Sequence, residues 1–233
     1  MILEVRAVAP FYKNGFVVAC ERTREAILID PGDEVDELLG AVRDLDVDVQ
    51  AVLLTHAHID HITGVAAAKD AFDVPVYLHR DDLFLYDMAV QQGAMFGFKV
   101  RQPPPVDEFY GTEPFAFGDY EARVHHTPGH CPGGVCLAIG KTGQTGSGTG
   151  DRGSGAHLFV GDTLFAGSIG RTDLPGGDYN VLLRSITEVL FPLGDASIVH
   201  PGHGPDTTIG RERTTNPFVL EYLERRGGPS RLR

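Results

Sequence analysis

At 233 residues, 42% hydrophobic and 22% charged, the chain is long enough for one large domain or two small ones and lies outside the disordered, fibrous and collagen-like classes. Its 20 Lys and Arg against 32 Asp and Glu give a net charge of −12. The only basic cluster is the tail Arg225, Arg226, Arg231 and Arg233, so a nucleic-acid backbone is excluded as a partner. No apolar run approaches the ~20 residues of a membrane span, and the opening MILEVRAVAP lacks the pattern of a signal peptide. Cys20, Cys131 and Cys136 form no CxxC pair, which argues against a disulfide framework or a zinc ribbon and places the chain in the cytoplasm, with no membrane partner.

In chain order, short β-branched runs bounded by Gly, Pro or Asp predict buried strands over residues 16–20, 26–30, 51–55, 74–78, 134–139, 157–160 and 197–200. A helix is predicted over 33–45, where Val35, Leu38, Leu39 and Val42 recur at helical spacing, and others over about 62–71, 80–90, 180–190 and 217–226. Two early strands followed by alternating strands and helices predict a layered α/β domain covering residues 1–233. Residues 140–155, with seven glycines and almost no apolar side chain, predict a flexible loop inserted between two strands. The 107–120 stretch reads as a more ordered loop whose aromatics, Phe109, Tyr110, Phe115, Phe117 and Tyr120, fit packing on the core first and the lining of a substrate cleft second.

Four apolar segments run straight into residues that bind metals: AVLLT into His56, His58, Asp60 and His61, ARVHHTPG into His130, HLFVG into Asp162, and SIVHPG into His203. Ligands carried by loops at strand ends can converge on one sheet edge. His56 and His58 face one metal only if their segment is extended, because positions i and i+2 diverge on a helix. Asp60 and His61, at the start of the next helix, turn toward a neighbouring metal. His56, His58 and His130 then serve one cation, Asp60, His61 and His203 a second, and Asp162 bridges. Imidazole and carboxylate ligands without thiolate suit Zn first, with Fe or Mn compatible. The HExxH helical zinc motif is absent. His79, His125, His126, His157 and His200 read as surface or capping residues, and Cys131 as a small buried side chain rather than a ligand.

THAHIDH, TPGH, GDTLF and PGHG resemble, in order and spacing, the signature of the metallo-β-lactamase superfamily, across roughly residues 14–226. The resemblance implies an α/β fold of four layers, an αββα sandwich of two mixed β-sheets flanked by helices. The stretch FAGSIGRTD from Phe165 to Asp173, and the segment from Gly202 through Thr215-Asn216-Pro217-Phe218, are similar to the small single-domain glyoxalase II-like hydrolases. The Gly-Arg-Thr-Asp piece also occurs in persulfide dioxygenases. The stretch after His203 is too short for the helical glutathione-binding domain of full-length glyoxalase II, and the Gly-rich insertion is not part of the family pattern.

The resemblance implies a metal-dependent hydrolase in which a hydroxide held by two divalent cations attacks a small-molecule thioester such as S-lactoylglutathione. Asp60 would orient the nucleophile as well as ligating. Asp30, in Ile-Asp-Pro-Gly at another strand end, fits as a hydrogen-bond acceptor behind a ligand histidine or as a turn residue. Arg171 fits a substrate carboxylate or an ion pair with Asp173. The alternatives are a mononuclear iron persulfide dioxygenase and a lactonase or β-lactamase on the same fold.

Overall fold

In the computed structural model, which describes residues 1–143 and 155–227, the chain opens with β1 (Ile2–Arg6), β2 (Gly15–Ala19), β3 (Glu25–Ile29), α1 (Val35–Leu45) and β4 (Asp48–Leu53). There follow α2 (Ile59–Ile62), α3 (Val65–Phe72), β5 (Val76–Leu78), α4 (Leu83–Asp87), α5 (Ala89–Met95) and β6 (Glu108–Phe109). These strands form one sheet in the order β1-β2-β3-β4-β5-β6, antiparallel through β3 and parallel beyond it.

The second half contains β7 (Phe115–Phe117), β8 (Tyr120–His126), β9 (Val135–Lys141), β10 (His157–Gly161), β11 (Leu164–Phe165), β12 (Ser168–Ile169) and α6 (Tyr179–Arg184). It ends with β13 (Ile198–Pro201), β14 (Thr207–Thr208), α7 (Ile209–Thr215) and α8 (Pro217–Arg225). The second sheet runs β14-β13-β10-β9-β8-β7, with β10 and β13 parallel and the other pairs antiparallel.

The layering follows from the two-residue period of a strand. On β2, Val17 and Ala19 join Leu38 and Val42 of α1 in the outer core, whereas Phe16 and Val18 point the other way and meet Leu137, Ile139 and Phe159 of the facing sheet. A third cluster packs Leu158, Val160 and Val199 under Leu182, Leu183, Ile186 and Val219 of the C-terminal helices. Strands buried on both faces read as continuous apolar runs, which is why β2, β3 and β10 stood out in the sequence. The result is the expected four-layer αββα arrangement of two mixed sheets. No helix among the described residues is long and apolar enough to cross a membrane.

Several boundaries differ from the expectations. The helix anticipated over 62–71 is two helices, because Gly64 packs on the Pro31–Gly32 turn, its N–H donating to the Pro31 carbonyl at 3.0 Å. The 80–90 helix is a 3₁₀ turn (Arg80–Asp82) followed by α4, and α5 continues to Met95. The 107–120 stretch contains β6 and β7, strands of 2 and 3 residues that are too short for an alternation to register. Phe117 and Tyr120 are buried, as expected. Gly140 and Lys141 close β9, and residues 144–154 of the predicted insertion lie outside the described residues. Helix α8 starts where the Asn216 side chain accepts from the N–H groups of Phe218 and Val219 and Pro217 occupies the first turn, a strong start signal.

Candidate metal centre

The segment between β4 and α2 is not helical. His58 has extended dihedrals (φ −68, ψ 152) and precedes α2, so His56 and His58 share a face while Asp60 and His61 ride on the first turn of the helix. His130 lies on the loop after β8, Asp162 directly after β10, and His203 two residues after the end of β13. Since β10 and β13 are parallel, their ends fall on the same edge. Close approach there requires glycine: a Cβ on Gly202 would overlap Oδ1 of Asp162 and Cε1 of His61, and one on Gly161, at φ 51, would overlap the Thr55 side chain.

These seven residues come together in two groups. The donor atoms of His56, His58 and His130 lie within 4.8 Å of one another, and so do those of Asp60, His61 and His203. Asp162 stands between the groups, with Oδ2 3.7 Å from His130 Nε2 and 3.6 Å from His203 Nε2, and Oδ1 3.4 Å from His61 Nε2. Within the groups, His58 Nδ1 and His130 Nε2 are 2.7 Å apart, and His203 Nε2 is 3.0 Å from Asp60 Oδ2.

Three of the converging atoms, His56 Nε2, His61 Nε2 and Asp162 Oδ1, are buried without a hydrogen-bond partner. An unsatisfied buried polar group costs about 1–3 kcal/mol, so three at one point call for a ligand. Nitrogen and carboxylate donors without a thiolate fit divalent Zn, Fe or Mn. The two groups and the carboxylate between them therefore have the composition and spacing of a dinuclear metal site.

The electrostatics divide the centre. Burial pushes His58 down to about 3, helped by the adjacent His130, and drives His56 well below the usual histidine range, so both rings keep free lone pairs at neutral pH. Burial also opposes a charge on His61, but the surrounding carboxylates of Asp60, Asp30 and Asp162 outweigh it and raise that ring to about 10. Asp60, although burial disfavours its charge, is held below the ordinary carboxylate range by His61 and by the hydrogen bond from His203.

Behind these side chains, Asp30 Oδ2 is 2.8 Å from His61 Nδ1 while the same carboxylate accepts the Thr55 N–H at 2.7 Å and the Thr55 hydroxyl at 2.5 Å. His130 Nδ1 is 2.8 Å from the Arg171 carbonyl. Arg171 thus meets the centre through its backbone, and its exposed guanidinium makes a bidentate pair with Asp173 at 2.8 and 2.7 Å.

Sequence reasoning missed three supports. Asp82, fully buried, accepts from Ala57 N at 3.0 Å, Gly133 N at 2.5 Å and Cys131 Sγ at 3.2 Å. It thereby joins the residue between His56 and His58 to the loop that follows His130. Asn14 Nδ2 donates to the carbonyls of Pro201 and Gly204 at 3.0 and 2.8 Å, bracketing His203. Lys13 Nζ donates to Glu34 Oε1 at 2.6 Å, both side chains being 1% exposed, and also to the Asp30 carbonyl. The available signal was position: Asp82 lies just after β5, at the edge that carries His56.

Residues 8–203 match the family described as the metallo-beta-lactamase superfamily. The chain is 33% identical to the hydroxyacylglutathione hydrolase GloC of Haemophilus influenzae, over 94% of this chain and 98% of that protein. Among solved structures it is similar to the B3 metallo-beta-lactamase BLEG-1, with 36% identity, a TM-score of 0.81 and coverage of 94% of this chain and 99% of that one. It is also similar to TTHA1623 in a di-iron-bound form, with 39% identity, a TM-score of 0.77 and coverage of 92% and 99%.

Proposed function

The chain belongs to the metallo-beta-lactamase superfamily, and from that premise we propose that it is a metallo-hydrolase that cleaves a small-molecule thioester of the S-lactoylglutathione type. The observation that carries the reading is Asp162, which stands between the groups with Oδ2 facing both His130 and His203 and Oδ1 facing His61. In this reading His56, His58 and His130 hold one divalent cation and Asp60, His61 and His203 the other, with Asp162 shared. When bound, such a pair supplies a water that ionises near neutral pH and a Lewis acid for the carbonyl oxygen. Zinc is the first expectation from the donor set, with iron or manganese compatible.

The chain's own groups supply the remainder. The Asp60 carboxylate, ionised at neutral pH, is a hydrogen-bond acceptor that orients the attacking water toward the thioester carbonyl. Asp30 holds the His61 proton on Nδ1, so that Nε2 is the nitrogen turned to the centre, where a bound cation would take the place of its proton. The Arg171 carbonyl does the same for His130. The Arg171 guanidinium, exposed beside this loop, binds a carboxylate on the thiol carrier by exchanging with Asp173.

The thioester substrate is supported by the GloC relationship, the metal pair by the geometry. Zinc-loaded protein is expected to hydrolyse S-lactoylglutathione without oxygen uptake, and Asp60→Ala to abolish that turnover. Oxygen uptake with glutathione persulfide by iron-loaded protein, absent with zinc and retained in Asp60→Ala, would assign an iron dioxygenase instead.

A further inference from the structure

The short hairpin of β11 and β12 reaches residues of both ligand groups. Its Phe165 ring meets the His203 ring at a steep angle, with centroids 6.3 Å apart and planes at 79°. Directly after β12, Gly170 packs so closely that a Cβ there would overlap the Asp162 carbonyl oxygen and crowd His130 Nδ1. A hairpin with strands of 2 residues cannot hold such a position by its own pairing. We propose that Glu212 of α7, acting with Asn216, is a positioning residue for the metal centre: it clamps this hairpin so that Phe165 stays against His203.

Glu212 is fully buried. Its Oε2 accepts from the Gly167 N–H at 2.8 Å and from Asn216 Nδ2 at 2.9 Å, and its Oε1 accepts the Thr207 hydroxyl at 2.6 Å. A carboxylate out of reach of water needs such a set of donors to offset its lost hydration. Gly167 forms the turn of the hairpin at φ 73, in the left-handed region that glycine adopts without strain. Asn216 Nδ2 also donates to the Ser168 carbonyl at 2.9 Å, while its Oδ1 caps α8. The turn is therefore gripped at an N–H and at the next residue's carbonyl. Asparagine suits the second grip because a carboxylate has no N–H to give Ser168 or Glu212.

The clamp acts where the centre is least enclosed. With 32% of its side chain exposed, His203 is the least buried of the seven converging residues. Asn14 holds the backbone on either side of it, but not the ring. Phe165 lies against that ring from the hairpin, and Thr207 opens β14, which pairs with β13 and so closes the connection that carries His203. One buried carboxylate thus joins the wall beside His203 to the strand behind it. The imidazole is kept with Nε2 toward Asp60 and Asp162 before any cation arrives.

The inference rests on the centre and not on the thioester reading, and its test begins with metal-free protein. Histidine ring NMR signals are compared in wild type, Phe165→Ala, Glu212→Ala and Glu212→Gln. Phe165→Ala removes a ring current and is expected to shift the His203 signals. Glu212→Ala is expected to shift the same signals in the same direction. Glu212→Gln is expected to leave them in place, because its oxygen can accept from Gly167 and Asn216 while its NH₂ donates to the Thr207 hydroxyl, which accepts as well as donates. Zinc affinity at the Asp60, His61 and His203 group, read by chelator competition, should fall about 10-fold in each alanine variant, as on loss of other supports behind a ligand, and no further in the double variant. Wild-type His203 signals in Glu212→Ala, equal shifts in Glu212→Gln and Glu212→Ala, or additive losses of affinity in the double variant would overturn the proposal. If Glu212→Ala does not fold, Phe165→Ala, which leaves the buried cluster intact, decides: unchanged His203 signals or unchanged zinc affinity there would overturn it as well.

Discussion

Asp30 Oδ2 lies 2.8 Å from His61 Nδ1, with both side chains at most 1% exposed, and the same carboxylate accepts both the N–H and the hydroxyl of Thr55. One carboxylate behind the centre therefore fixes the tautomer of a histidine in the second group and the turn that introduces His56.

Asp30→Asn tests that relationship. An amide can still accept from Thr55, but its NH₂ turned toward His61 would require the imidazole proton to move to Nε2, where it blocks ligation. Metal affinity at the Asp60–His61–His203 group is expected to fall about 10–100-fold, the usual cost of losing such support, while the three-histidine group keeps its metal. Stepwise metal titration with far-UV circular dichroism as a fold control reads this; equal affinity at both groups would show that Asp30 only shapes the turn.

Asp82→Asn should act on the other group. The carboxylate accepts from two amides and a thiol, and the amide substituent presents a donor to at least one of them. A cost of about 1–3 kcal/mol is expected from the group left unsatisfied, seen as a lower Tm, with metal lost first from His56, His58 and His130. Wild-type stability and metal content in this variant would contradict the clamp.

The difference in legibility between the ligands and Asp82 has a physical origin. His56, His58, Asp60 and His61 are neighbours in sequence, and His130, Asp162 and His203 each follow a loop or strand with an apolar run, so both spacing and element ends were readable in one dimension. Asp82 reaches partners 25 and 51 residues away. No local pattern encodes such a contact. The same holds for the layers: β2, β3 and β10, buried over at least four consecutive residues, announce themselves by continuous apolar runs, whereas β1 is largely half-buried and two-residue strands such as β6 and β14 exist only through their partners. The helix expected over 62–71 is interrupted at Gly64 by its contact with Pro31, which is again a tertiary event.

The Lys13–Glu34 pair predicts a non-additive stability pattern. Both groups are buried, and Glu34 Oε1 also accepts the Gly32 N–H at 2.8 Å. Lys13→Met leaves Glu34 as an uncompensated buried charge, at about 3–5 kcal/mol. The double variant Lys13→Met/Glu34→Gln should recover much of that loss in urea denaturation. Additive losses would show that the two side chains act independently.

Arg171→Ala separates the backbone role of this residue from its side-chain role. The carbonyl that meets His130 survives the substitution, so metal content should be unchanged. For a thioester whose thiol carrier bears a carboxylate, KM should rise several-fold with little change in kcat, and for a neutral thioester neither should move. A fall in kcat for both substrates would place the guanidinium in another role.

The most direct test of the account is anomalous diffraction from crystals of metal-replete protein. Two peaks about 3.5 Å apart, one against His56, His58 and His130, the other against Asp60, His61 and His203, with Asp162 between them, are expected. A single fully occupied peak at this centre would contradict the two-cation assignment and the hydrolytic mechanism built on it.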